Sequence, residues 1–230
     1  MHVRRRILVC LTIALCWASA RSQTKPAPSA APPDQKELNV NWLYGAFVPK
    51  DVPLHPLTGH QRLKLYTLET FTTPGIYLKT GLFALSDQVM NNPSEWGRGP
   101  GGFGRRLASR EAQFVIQNSF SAVGDALLQY EPRYDLCRCS GFWPRTRHAF
   151  VRNFVTYNKT EKELRPQFAL YGAALGAGMT ASLWKPGTKA WIEGYRSVFA
   201  QAGIGVLSNW IGEFSSEITH ILHKKPKDKK

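Results

Sequence analysis

From Thr58 onward, apolar side chains recur every three or four residues: Leu63, Tyr66, Leu68 and Phe71, then Ile76, Leu78, Leu82, Leu85 and Val89. A period near 3.6 marks amphipathic helices. Thr58 has the chemistry of an N-cap. Pro74-Gly75 divides the stretch into two helices or kinks one, and Asn91-Asn92-Pro93 ends it. Gly97 to Gly104 reads as a glycine-rich loop. A long helix is predicted from about Arg105 to Tyr130, stopped at Glu131-Pro132 because a residue before proline is driven out of helical geometry. Residues 131–145 read as an irregular tract. Further helices are predicted over 146–157, 164–184 and 189–222. No strand run or internal repeat stands out, so the predicted fold is all-α: a bundle of five or six helices over 58–222.

The first 57 residues follow other rules. Arg4, Arg5 and Arg6 precede the apolar run Ile7–Trp17, and Ala18-Ser19-Ala20 follows it. A basic start, a short apolar run and a small-x-small end make residues 1–20 a signal peptide, since a spanning helix needs roughly 20 apolar residues. Residues 21–36 are rich in Pro, Ala and Ser and read as a disordered linker. Residues 37–57 mix Trp42, Tyr44, Phe47 and Val48 with three prolines, the composition of an extended arm that packs aromatics onto the domain. Residues 223–230, HKKPKDKK, form a basic disordered tail.

One predicted helix carries an unusual face. Ala169, Ala173, Ala177 and Ala181 recur at i+4, with Gly172, Gly176 and Thr180 three residues after the first three. Small residues let a second helix approach closely. Such faces suit membrane bundles and oligomers, so length matters. Residues 166–184 are uncharged but Gly/Ala-rich, and 197–212 are uncharged but interrupted by Gln201, Ser208 and Asn209. Both a peripherally attached bundle and an embedded hairpin of the last two helices fit these runs.

Charge changes the picture next. The chain has 30 Lys and Arg against 16 Asp and Glu, a formal +14. That balance suggests nucleic acid, but its distribution does not: three arginines lie in the signal, and the linker and tail are both basic. An exported protein has no ordinary nucleic-acid partner. Within the domain, nine arginines and no lysine fall between residues 97 and 152. Arginine is favoured for planar, bidentate contact with carboxylate or phosphate. Arg105, Arg106, Arg110, Arg133, Arg145 and Arg147 are therefore candidates for binding an anion, either lipid headgroups or an acidic envelope polymer. The competing reading pairs them with acids inside the protein.

Little else suggests chemistry. Gly99-Pro100-Gly101-Gly102-Phe103-Gly104 has dinucleotide-motif spacing but lacks the preceding strand that motif requires. His220 and His223 lack a third ligand, so no metal is assigned. No nucleophile–base pattern or cofactor motif is present. Cys137 and Cys139, the two cysteines beyond the signal, fit a disulfide, two free thiols or a bridge to a partner chain.

The ordered set Pro93-x-Glu95-Trp96-Gly97, Gly102-Phe103-Gly104-Arg105-Arg106, Glu131-Pro132-Arg133-Tyr134, Trp143-Pro144-Arg145 and Trp184-Lys185-Pro186 resembles a group of exported bacterial helical proteins with no assigned activity. The resemblance spans roughly residues 58–215. It implies a bacterial envelope or periplasmic location and adds no site; the Cys-Arg-Cys stretch lies outside the shared motifs. The expectation is an exported envelope protein with a non-enzymatic structural or interaction role at a membrane. The second expectation is a binding module or enzyme that takes an anionic envelope ligand through the arginines.

Overall fold

The computed structural model describes residues 38–158 and 163–223. The signal (1–20), the linker (21–36) and the tail beyond His223 lie outside the described residues. The described chain is mostly helical, with seven α-helices and five short strands.

The arm is partly a strand pair. β1 (Val40–Asn41) and β2 (Gly45–Val48) pair antiparallel with Val40 opposite Ala46. β2 also pairs in parallel with β3 (Tyr134–Asp135), setting Phe47 against Tyr134. Ala46, Leu57 and Leu65 bury a small apolar core there, with Leu38 and Val40 packed on it.

α1 (Gly59–Thr67) starts at Thr58, whose Oγ1 accepts from the Gln61 N–H at 3.3 Å. The Gln61 side chain returns a bond from the Thr58 N–H at 2.9 Å, a reciprocal cap. A π-helical turn, Leu68–Thr72, follows, and α2 (Pro74–Val89) opens on proline at its first position. α3 (Pro100–Leu127) corrects two expectations. It begins inside the predicted glycine loop, because Gly99 caps it and Pro100 is preset for a first helical residue. It ends three residues before Tyr130.

The later boundaries need correction as well. α4 (Phe142–Phe154) starts earlier than predicted, and Val155–Tyr157 leave the helix as strand β4. β4 pairs antiparallel with β5 (Leu164–Pro166), so the helix predicted from Leu164 is α5 (Phe168–Ala181). Val155 and Thr156 are β-branched and prefer the pleated backbone once a partner strand exists. The predicted 189–222 helix is two helices, α6 (Ala190–Glu213) and α7 (Ser215–His223). The described residues are thus mostly helical, as expected, but with a few short strands and with seven α-helices where five or six were expected.

α5 packs on both α3 and α6; α2 flanks α3, and α4 flanks α6. The buried apolar residues of α5 are all alanines, Ala169, Ala173, Ala174, Ala177 and Ala181. A Cβ built on Gly124 of α3 would lie 2.9 Å from the Ala169 Cβ, and one on Gly178 would lie 2.4 Å from the Glu193 carbonyl oxygen. Backbone meets backbone in this seam.

Candidate functional site

The helices around α3 and α6 reverse the usual distribution of polarity. Gln113 Nε2 donates to Ser197 Oγ at 2.6 Å, and Gln117 Nε2 donates to Gln201 Oε1 at 2.6 Å. Each bond lies four residues on from the last, so α3 and α6 run in the same direction with an amide ladder between them. Asn153 Nδ2 of α4 donates to the Ala202 carbonyl at 3.1 Å, and Asn209 Nδ2 donates back to the Ala149 carbonyl at 3.2 Å. Long polar side chains thus hold the helices apart where the α5 seam brings them together.

The result is a cavity of about 310 Å³ bounded by α2, α3, α4, α6 and the arm. Trp42 to Gly45 close one side. A Cβ on Gly75 would fall 1.9 Å from the Trp42 carbonyl oxygen, and one on Gly212 would fall 3.2 Å from the Tyr44 ring. These glycines let the arm lie directly on α2 and α6. A neighbouring space of about 170 Å³ lies toward α1 and includes Asp125.

Two opposite charges face the larger cavity. Glu69 accepts from the Ala46 N–H at 2.7 Å. Burial pushes its carboxyl pKa up, against the opposing effects of that N–H and of Lys79. Burial pushes the Lys79 amine down, opposed by Glu69. No hydrogen bond to the Lys79 ammonium is present among the described residues. In the smaller space, burial raises the Asp125 pKa to about 7, against the opposing charge of Arg62.

A second polar cluster centres on Glu213, whose side chain is fully buried. Its Oε1 accepts from the Tyr134 hydroxyl at 2.7 Å and the Cys137 N–H at 2.7 Å, and lies 3.2 Å from His148 Nδ1. Arg145 Nε is 3.6 Å from Glu213 Oε2, and neither atom has a hydrogen bond among the described residues. Cys137 and Cys139 are joined by a disulfide with Cα atoms 5.2 Å apart. Glu213 fastens the 134–139 segment onto the end of α6, and the bridge constrains that segment locally.

The arginine candidates do not converge on one anion site. Arg106 is 0% exposed. Its guanidinium donates to the carbonyls of Asn92, Pro93 and Gly97 and to side-chain oxygens of Gln88 and Asn91. It thereby holds the loop between α2 and α3. Arg110 grips Asp87 through two bonds of 2.6 and 2.7 Å. Arg133 pairs with Glu131 at 2.7 Å, and Arg145 pairs with Glu217. Arg105 and Arg147 are exposed. Of the small-residue face, Ala169, Ala173, Ala177 and Ala181 are buried in the seam, while Gly176 touches Phe120. Thr180 Oγ1 bonds back to the Gly176 carbonyl at 2.8 Å. A Cβ on Gly172 would meet nothing, so Gly172 stands outside the seam. No group of residues able to hold a metal ion is found among the described residues.

The outer faces are the counterpart of the polar interior. α2 exposes Leu78, Leu82, Leu85 and Val89; α5 exposes Phe168 and Met179, and the turn after it exposes Leu183; α6 exposes Trp191, Tyr195, Phe199 and Leu207. Phe199 is 76% exposed while Ser197, two residues before it, is 7% exposed. Among the described residues no helix is long and apolar enough to cross a membrane.

No protein-family model, curated protein or solved structure matches this chain. Sequence reasoning missed the cavity amides, although a signal was present: Gln113 and Gln117 on α3, and Ser197 and Gln201 on α6, are polar positions at i+4 in otherwise uncharged stretches. That spacing defines one polar stripe per helix. Which stripe faces inward depends on partners far away in sequence.

Proposed function

We propose that the chain is an exported cell-envelope protein with a non-enzymatic interaction role at a membrane, held there by its apolar outer faces. The observation that supports this is the inversion of polarity: large aliphatic and aromatic side chains stand outside, while glutamine, serine, glutamate and lysine are buried. Exposed apolar surface on this scale marks an interaction site. Fully burying one Leu or Phe is worth roughly 1.5–3 kcal/mol. A basic residue near an anionic surface is worth about 1 kcal/mol. The apolar term therefore dominates, and charge from Arg105, Arg147 and the basic tail adds to it. Trp184, Tyr195 and Trp191 lie near the α5–α6 turn, and such amphipathic rings suit a headgroup boundary.

Fractionation of cells producing the full chain tests this reading. The protein should pellet with membranes, stay there in high salt and leave with detergent. Quantitative recovery in the soluble fraction without salt or detergent would contradict it.

A further inference from the structure

Beyond the membrane reading and independent of it, we infer that the cavity enclosed by α2, α3, α4, α6 and the arm is a binding site for a small, uncharged, polyhydroxylated molecule of about monosaccharide size. Size is the first argument. About 310 Å³ lies at the lower end of the roughly 300–1,000 Å³ of ligand pockets, a space that one sugar ring or cyclitol fills.

Unspent hydrogen-bonding capacity is the second argument. Gln117 and Gln201 use one amide group each on the other, so the Gln117 carbonyl and the Gln201 N–H groups are unused among the described residues. Asn118 spends its N–H on Thr70 Oγ1 at 3.2 Å and Asn209 spends its own on Ala149, which leaves two more amide oxygens. Gln167 and Ser208 line the cavity with no side-chain bond. A carboxamide presents a donor and an acceptor side by side, the pattern that vicinal hydroxyls complement. A polar space of this kind is solvated when no ligand is bound, and sugar hydroxyls reproduce the bonds of the displaced water. Phe83 and Phe114 supply apolar wall against which the C–H face of a ring can lie.

Charge balance is the third argument and decides against an ionic ligand. Arg110, Arg133 and Arg152 line the cavity, but the guanidinium of each is held by a carboxylate, Asp87, Glu131 and Asp135 respectively. Lys79 and Glu69 offset each other. No net charge remains for an anion to neutralise.

Thermal unfolding and chemical labelling of the detergent-purified full chain test the inference. The probes are D-glucose, D-galactose, D-mannose and myo-inositol, with a phosphorylated glucose and glucosamine as charged comparators. At least one neutral probe should raise Tm by roughly 5–10 °C at a hundredfold excess over Kd. Gln201→Leu or Asn118→Leu should weaken binding by at least about tenfold, the effect of losing one or two hydrogen bonds. Lys79 acetylation, read by mass spectrometry on the unaltered chain, should slow about tenfold with the same probe, which needs no variant to fold. No Tm change and no Lys79 protection by any neutral probe would overturn the inference. So would stronger binding of a charged comparator, or undiminished binding by both folded leucine variants. None of these results depends on where the chain fractionates.

Discussion

α3 and α6 have two unlike neighbourhoods. Against α5 they meet Ala169, Ala173, Ala177 and Gly178, and the helices close until a Cβ on Gly178 would strike the Glu193 carbonyl at 2.4 Å. Toward α2 and α4 they carry Gln113, Gln117, Gln201 and Asn209, and a cavity of about 310 Å³ stays open. Uncharged helical residues dominate both neighbourhoods, beside paired charges such as Lys185–Glu193 at the seam and Arg110–Asp87 at the cavity. What separates them is side-chain length: small side chains draw backbones together, and carboxamides bond at their tips and hold the backbones apart. The seam supplies rigidity, and the open side supplies capacity for a guest.

The largest expected effect falls where a buried ion pair closes the seam. Lys185 Nζ lies 3.1 Å from Glu193 Oε2, with both side chains 5% exposed. Burial tends to raise the Glu193 pKa, but Lys185 and Arg196 hold it below the usual carboxylate range. Glu193→Gln leaves the lysine buried without its counter-charge and should cost about 3–5 kcal/mol in urea unfolding. A cost below about 1 kcal/mol would mean that the seam end opens to water.

Within the seam, Gly178→Ala should cost about 1–3 kcal/mol, because backbone and not a flexible tip must move. Gly172→Ala, six residues earlier on the same helix, should instead stabilise by up to about 1 kcal/mol, since its Cβ meets nothing. Equal effects at the two glycines would erase the distinction between seam and surface.

The smaller space toward α1 should respond to pH. Asp125 has a folded pKa of about 7, raised from its ordinary 3.8 by burial. The folded state holds that proton where the unfolded state has lost it, so stability falls as pH rises from about 4 to about 7 and is level above that. Asp125→Asn should remove this slope and gain on the order of 1–3 kcal/mol relative to the unaltered chain at pH 8. A difference between the two proteins that does not change with pH would place Asp125 in contact with solvent. The smallest change is expected at Gln117→Leu, within about 1 kcal/mol, since an amide beside a solvated space is replaced at similar volume.

Local signals were legible in the sequence. Thr58 caps a helix, Pro74 starts one, and Asn91-Asn92-Pro93 ends one, because each acts through its immediate neighbours. Of the small-residue stripe, Ala169, Ala173, Ala177 and Ala181 lie buried in the seam and Gly172 lies outside it. Long-range pairing hid the rest. Arg110 finds Asp87 at a separation of 23 residues and Arg145 finds Glu217 at 72, so arginines that suggested an anion site are engaged within the fold. Val155–Tyr157 become a strand only because Leu164–Pro166 returns beside them. The break at Phe214 has no proline to announce it, and Gly212, two residues before it, reads equally as one of the small residues recurring along the helix. Inverted polarity was least legible, since an amphipathic stripe looks the same whether its polar side faces water or a cavity.

The apolar exterior can be tested by fluorescence in lipid vesicles with bromine on the acyl chains. Trp143 and Trp191 are 77% and 58% exposed. Tryptophan emission should be quenched by brominated lipid relative to unbrominated lipid, and high salt should not restore it. Identical emission in the two lipids would contradict a membrane-facing apolar surface.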